Sequence, residues 1–264
     1  MAEYKFETIL YRKQKNVGNV ILNRPEVHNA FNDKMIEELS IIFDEIEKDN
    51  SLRVVILSGE GKSFCAGADL NWMRRVKDYS YEENLKESLA LADMLYKIYI
   101  CSKPTIAKVQ GYAIGGGTGL VAVCDIAIAS MDARFSFSEV KLGLIPACIS
   151  PYVVKKCGEG RCREFFLTGE RMSAEKAFNA GLVNIIVPPD ALDCAVDGLV
   201  NQLLSSGPEA IKQCKELLRN VPSMTVEEFK RYTAEVIAWM RISDEAQEGM
   251  SAFLEKRKPE WTGK

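Results

Sequence analysis

The sequence predicts an α/β domain followed by a helical region. Three observations carry that reading. Strand and helix signals alternate over roughly residues 1–190. From about residue 191 to residue 264 no convincing strand appears. Two glycine-rich turns, Cys65-Ala66-Gly67-Ala68-Asp69 and Ile114-Gly115-Gly116-Gly117-Thr118-Gly119, each follow a predicted strand and precede a predicted helix. Alternation of this kind argues for crossover connections within one sheet-containing domain. The later region, 191–264, is expected to pack on that core or on a neighbouring subunit. No Pro/Ser-rich linker separates the two parts, so their boundary is soft.

The elements follow in order. Residues 17–22, VGNVIL, form an apolar run that ends at Asn23-Arg24-Pro25 and predict a strand. Asn32 and Asp33 are good N-cap types, and Met35, Leu39, Ile42 and Ile46 recur at helical spacing behind them. Arg53 to Gly59 is a β-branched run closed by glycine, a second strand. Ser80 with Glu83 makes a capping box. It opens a helix whose expected buried face is Leu85, Leu89, Ala92, Tyr96 and Tyr99. Thr105 to Val109 is a third strand. Gly111 to Gly119 turns into a short apolar helix ending near Cys124, and Asp125 to Ala129 is a fourth strand. Phe135 to Ser138 is a short fifth. Ser173 caps a helix that ends at Gly181, and Gly207-Pro208 interrupts the later region. Thr225 with Glu228 is a second capping box, with one helix expected to run from it to about Leu254.

Composition narrows the chemistry. The chain has 264 residues, 34 basic and 37 acidic, for a formal net charge of −3. Such a balance gives no global positive field for a nucleic acid. A single histidine, His28, excludes multi-histidine zinc and iron sites. No nucleophile motif lies near it, so it reads as a loop histidine at a surface or ligand edge. The eight cysteines form no Cys-x-x-Cys pair, and their scatter suits buried free thiols in a reducing compartment. The N-terminus, MAEYKFETILYRKQ, lacks a signal-peptide core, and the most apolar stretch, Gly111 to Cys124, is too short to span a bilayer. A cytoplasmic protein without membrane contact is expected. The glycine run does not give G-x-G-x-x-G with a suitably spaced acid, and no Walker motif is present. No nicotinamide cofactor, ATP or metal is therefore expected.

What the two turns can do follows from their backbone. Glycine permits positive φ and close approach, and a helix N-terminus presents unpaired N–H groups. Two such turns facing each other could aim two donors at one oxygen, which is the content of an oxyanion hole; the alternative is that they are merely tight turns. Glu139, in Phe137-Ser138-Glu139-Val140-Lys141, stands at the end of an apolar strand. Two readings stand for it. It is either a desolvated acid suited to proton transfer or a surface glutamate paired with Lys141 or Arg134. Glu255-Lys256-Arg257-Lys258 reads either as a solvated helix end or as a grip on phosphate.

Taken together, the segments resemble the enoyl-CoA hydratase/isomerase (crotonase) family. The matching pieces are Leu22-Asn23-Arg24-Pro25 with Asn29-Ala30-Phe31, Phe64 to Leu70, Ala113 to Gly117, and Cys124 to Ala129. Ser138 to Pro146, Leu167 to Glu170, Gly181 to Val183 and Glu248 to Arg257 match as well. They cover nearly the whole chain in the family's order. Within the family, Ala68 to Met73 and Pro146 to Pro151 look closest to bacterial methylglutaconyl-CoA hydratases.

The resemblance implies a spiral of ββα units over 1–190 and a C-terminal helical region over 191–264. It implies a homotrimer or a dimer of trimers, and an acyl-CoA thioester as substrate with no separate cofactor. By the same resemblance, the oxyanion hole falls on the backbone N–H groups of Ala68 and Gly116, and Glu139 is the acid/base. Ala66, Asp69, Leu70, Phe253 and Lys256 are implied in CoA contact, the last two reaching a neighbouring subunit's ligand. One departure stands out. Typical hydratases carry a first glutamate at the position of Gly119, and here Glu139 alone remains. The glycine-rich segment usual after Pro146 is replaced by Ala147-Cys148-Ile149. The expected activity is reversible hydration of a 2-enoyl-CoA, with 3-methylglutaconyl-CoA as a candidate. A Δ3-Δ2-enoyl-CoA isomerase using one glutamate is the enzymatic alternative. A non-catalytic CoA-binding or RNA-binding protein is the alternative of another class.

Overall fold

In the computed structural model, which describes residues 5–262, the chain begins with a hairpin. Strands β1 (Ile9–Gln14) and β2 (Val17–Leu22) pair antiparallel around Lys15, whose φ of 53° makes the turn. Helix α1 (Asp33–Lys48) follows, with the Asn32 side chain accepting the Met35 amide at 3.0 Å as its cap. Strand β3 (Val54–Gly59) leads through the first glycine turn to α2 (Leu70–Val76) and α3 (Tyr81–Ile100). The next two passes share a plan. Strand β4 (Thr105–Val109), strand β5 (Tyr112–Ile114) and helix α4 (Gly116–Val123) make one. Strand β6 (Ile126–Ser130), strand β7 (Arg134–Ser136) and helix α5 (Ser150–Thr168) make the other. Strand β8 (Arg171–Ser173), helix α6 (Ala174–Asn179) and strand β9 (Ile185–Val187) end the strand-bearing part. Helices α7 (Leu192–Ser205), α8 (Pro208–Asn220), α9 (Val226–Ile242) and α10 (Asp244–Leu254) complete the chain.

Each of these two passes, β4-β5-α4 and β6-β7-α5, places one strand in a large sheet and one in a small sheet. The large sheet has the order β1-β2-β3-β4-β6-β9 and the small one β5-β7-β8. Every pair in the large sheet from β2 onward is parallel. The chain thus winds as the expected spiral of ββα units. Period-2 alternation explains its two buried faces. Val55 and Leu57 of β3 join the core formed with α1, α3 and α4. Val54 and Ile56 point the other way, against Leu192, Val196 and Val200 of α7. The C-terminal region therefore lays its first helix on the sheet.

Several expectations are corrected. In α3 the buried residues are Met94, Leu95 and Ile98, whereas Leu85, Leu89 and Tyr96 are exposed. A helix of 20 residues is about 30 Å long, and α3, which packs against α1 and α4, buries residues only in its C-terminal half. The helix expected from Thr225 to Leu254 breaks at Ser243, which leaves helical geometry and caps α10 by accepting the Ala246 amide at 3.2 Å. Glu139 does not end a strand. β7 stops at Ser136, and Ser138–Leu142 is a 3-10 turn. All eight cysteines are free, but Cys194 and Cys214 are exposed rather than buried. Strands β1, β5, β8 and β9 and helix α5 were not anticipated. Three of those strands have three residues each, too few to show a period, and α5 carries a kink at Gly158 (φ 74°, ψ 156°). The first four residues of the N-terminal stretch read for a signal peptide lie outside the described residues. Among the described residues no helix is long and apolar enough to cross a membrane.

Candidate active site

The two glycine turns are fastened to each other by main-chain hydrogen bonds. The Cys65 amide donates to Tyr112 O at 2.9 Å, and the Ile114 amide donates to Cys65 O at 2.9 Å. Gly67, at φ 92°, is the position that demands glycine. A methyl group there would fall 2.8 Å from Ile114 O. Gly117 is equally tight, since a methyl group on it would lie 2.3 Å from Cys65 O. So close an approach sets the start of α4 directly beside the first turn.

One amide in each turn, that of Ala68 and that of Gly116, takes no part in the hydrogen bonds that fasten the turns. Around Ala68 the Phe31 amide donates to Gly67 O at 2.8 Å, and the Asp69 amide donates to Phe31 O at 3.0 Å. In this parallel bridge the bonds run through Ala68's neighbours, so its own N–H faces the other way. Gly116 is the first residue of α4, where an amide has no acceptor within the helix. Phe31 joins the two. Its backbone flanks Ala68, and its ring tip would meet a methyl group on Gly116 at 2.1 Å.

Glu139 comes to the same place. Its Oε1 lies 3.0 Å from where a methyl group on Gly115 would stand. Its Oε2 is buried and has no hydrogen-bond partner. Neither Lys141 nor Arg134 pairs with it. Arg134 instead donates to the carbonyls of Asp132 and Ala133 at 3.0 and 2.9 Å. Burial pushes the Glu139 carboxyl above its ordinary value, opposed only by a hydrogen bond from its own backbone. The desolvated-acid reading therefore holds over the surface one.

The neighbourhood is built to stay in place. Thr118 Oγ1 donates to Ala113 O at 2.6 Å and to Ser136 O at 3.0 Å, tying α4 to β5 and β7. Gly119 is buried one turn along α4, and Ile149 fills the space over it. A methyl group on Gly119 would fall 2.1 Å from Ile149 Cγ2. Ile149 was not singled out from the sequence except as part of Ala147-Cys148-Ile149; its apolar type gave no chemical signal. Phe31 was visible only as a motif residue, because backbone pairing with Ala68 has no signature in side-chain type.

The other residues fall into place differently. The Ala66 amide donates to His28 O at 2.9 Å, so the first turn is also held by the loop before α1. His28 adopts φ 53° and its Nδ1 is 3.0 Å from Ser63 Oγ. Asp69 is a buried structural anchor. It accepts from the Asn71 and Trp72 amides to cap α2 and pairs with Arg24 at 2.8 Å. Burial alone raises its carboxyl, but the Arg24 hydrogen bond and the cap amides outweigh it and hold the group below the usual range. Leu70 is exposed beside it. Phe253, 82 % exposed, stands at the end of α10, and Lys256 follows it with φ 56°. Ala68, Gly116, Gly119 and Glu139 are brought together; Phe253 and Lys256 stand on the exposed helix end instead. Among the described residues no group of His, Cys, Asp and Glu side chains could hold a metal ion.

The two fastened glycine turns and a carboxylate with one buried, unpartnered oxygen thus lie at the start of α4. Comparison with known proteins narrows the class. Residues 12–264 match the family model of enoyl-CoA hydratase/isomerase, and the chain belongs to that family. It is 31 % identical to the short-chain-enoyl-CoA hydratase of Clostridium acetobutylicum, over 97 % of this chain and 98 % of that one. An enoyl-CoA hydratase structure from Shewanella pealeana is 39 % identical with a TM-score of 0.94, covering 97 % of each chain. One from Mycobacterium smegmatis is 35 % identical with a TM-score of 0.91, covering 97 % of this chain and 99 % of its own.

Proposed function

We propose that the chain catalyses reversible addition of water to a 2-enoyl-CoA thioester, with Glu139 as acid/base. One observation carries the reading: the carboxylate with a buried, unpartnered oxygen stands against the turn that offers the Gly116 amide, beside the Ala68 amide. The thioester oxygen accepts hydrogen bonds from both amides. Water adds to C3 while Glu139 takes one of its protons. The double-bond electron pair moves onto the thioester oxygen as an enolate. Glu139 then gives that proton to C2, the carbonyl re-forms, and the carboxylate is regenerated. In other enzymes, removing one donor from such a hole costs about 3 to 4 kcal/mol in the transition state.

A specific observation also favours a second reading. Helix α4 carries no acidic residue, so Glu139 is the one carboxylate against this turn. A single carboxylate suffices to take a proton from C2 of a 3-enoyl-CoA and return it at C4. One assay separates the two. Loss of conjugated-thioester absorbance from a 2-enoyl-CoA signals hydration, and its gain from a 3-enoyl-CoA signals isomerisation. Absence of turnover on a broad acyl-CoA panel, with CoA still bound, supports a binding protein instead.

Within hydration, a branched substrate of the 3-methylglutaconyl type is our choice, on the segments Ala68–Met73 and Pro146–Pro151. Ala66 and Leu70, on the rim of the first turn, are assigned to CoA. Phe253 and Lys256 are assigned to the CoA of a second copy in a trimer or dimer of trimers. In support, α9 buries none of its residues within the chain, while Ile237, Trp239 and Ile242 are exposed on it. The free thiols favour a reducing, cytoplasmic setting.

A further inference from the structure

Glu139 stands against Gly115, the residue that caps α4, and Ile149 against Gly119, one turn further along. The Gly119 amide donates to Gly115 O at 3.1 Å, so these two glycines lie one helical turn apart. The carboxylate sits over Gly115, with Oε1, Cδ and Oε2 at 3.0, 3.5 and 3.8 Å from where its methyl group would be. The Ile149 side chain sits over Gly119, with Cγ2 and Cβ at 2.1 and 2.8 Å from the corresponding point. A side chain at either glycine would displace one of them. Ile149 is 3 % exposed, and its carbonyl accepts the Tyr152 and Val153 amides at 3.2 Å, which fixes it at the start of α5.

We infer that Ile149 is a positioning residue for Glu139: its branched side chain fills the place over Gly119, one helical turn from the carboxylate, and keeps water and any second polar group from standing beside that acid. The inference rests on Glu139 being the acid/base and adds what makes that single acid effective. A carboxylate without a partner on one oxygen is held toward its protonated form only while its surroundings stay dry. The other titratable groups on neighbouring elements are engaged elsewhere. Lys141, on the same turn, lies against Gly169, and Arg134 of β7 donates to nearby carbonyls. Cys148 donates to Ser88 O at 3.7 Å. On α5, Lys156 donates to Asp125 O at 3.5 Å and Tyr152 packs on Tyr99 with ring centroids 5.1 Å apart. On β8, Arg171 lies over the Tyr112 ring at 6.0 Å. Helix α4 has no titratable residue. Apolar filling is thus what governs the environment of Glu139.

The test compares Ile149→Val, Ile149→Thr and Ile149→Ala in the full chain. Valine and threonine have nearly the same shape, so their difference isolates polarity from volume. The Glu139 carboxyl is followed directly by NMR in protein labelled with 13C-glutamate, its signal assigned by its loss in Glu139→Gln. Ile149→Val is expected to keep the wild-type titration. Ile149→Thr and Ile149→Ala are expected to titrate lower by about one pH unit, the usual spread of protein carboxylates. The acid limb of the kcat profile on an enoyl-CoA should move with them. Thermal unfolding establishes that each variant is folded, and the valine–threonine pair decides the question if the alanine variant is not. Equal titration in the threonine and valine variants overturns the inference. A lowered titration in the threonine variant, together with a wild type that turns over no enoyl-CoA, leaves the inference standing and overturns the proposed function instead.

Discussion

Glu139, the proposed acid/base, holds a carboxylate oxygen buried and without a hydrogen-bond partner, which costs the fold when the group is ionised. Glu139→Gln keeps the size of the side chain and removes its ability to carry a proton. Turnover should fall by roughly 10²- to 10⁴-fold, the usual share of a general acid–base, with CoA binding nearly intact. A rate near wild type would remove Glu139 from the mechanism. The same variant bears on stability. Burial raises this carboxyl, so the folded chain holds the proton more tightly than the unfolded chain does. That contribution is present below the unfolded value, about 4.3, and is lost as pH rises through the folded value. Glu139→Gln should therefore gain in Tm relative to wild type as pH is raised from 4 to neutrality. A difference that stays flat across this range argues that the carboxylate is well solvated. Glu139 was legible in the sequence as a candidate, because an acid among apolar residues is a chemical oddity. Its surroundings were not, since Ile149 and Phe31 act by shape and backbone pairing, which no residue type announces.

At the scale of elements, α4 is a helix made of close approaches. Gly119→Ala should destabilise the protein by about 1 to 3 kcal/mol through overpacking, despite alanine's advantage of roughly 1 kcal/mol in helix propensity. The clash with Ile149 decides the sign. For the same reason Gly119→Glu should require displacement of the Ile149 side chain, although helix propensity alone favours it. Adding Ile149→Ala to Gly119→Ala should recover part of the loss, and a denaturant titration of the double variant measures it. Purely additive losses would show that the two sites do not touch. Helix caps were the most legible elements. Asn32, Ser80, Ser173 and Thr225 all accept the amides their positions promised. Asn32→Ala should cost about 1 kcal/mol at the start of α1, read as a lower urea midpoint. Of the small sheet only β7 was legible, in Phe135 to Ser138; β5 and β8 are three-residue pieces whose identity comes from partners, not from pattern.

For the whole molecule, the spiral was visible in the alternation of strands and helices, but the reach of the last helices was not. Amphipathic faces on α8 to α10 state that something covers them without stating what. Lys256→Ala tests the proposed contact between copies. KM for the CoA thioester should rise while kcat stays nearly unchanged, because a phosphate contact far from the reacting carbon supplies uniform binding. An unchanged KM removes Lys256 from the nucleotide. A last consequence concerns α4, in which every residue after Gly116 is buried. Many enzymes keep their reacting groups on segments that open locally while the rest stays folded. Here the helix that begins at the proposed donor, Gly116, belongs to the innermost packing. Its backbone protons should exchange with deuterated solvent only when the whole chain opens, and heat should abolish turnover and compactness along one shared curve. An enzyme so arranged is expected to have no half-damaged working state.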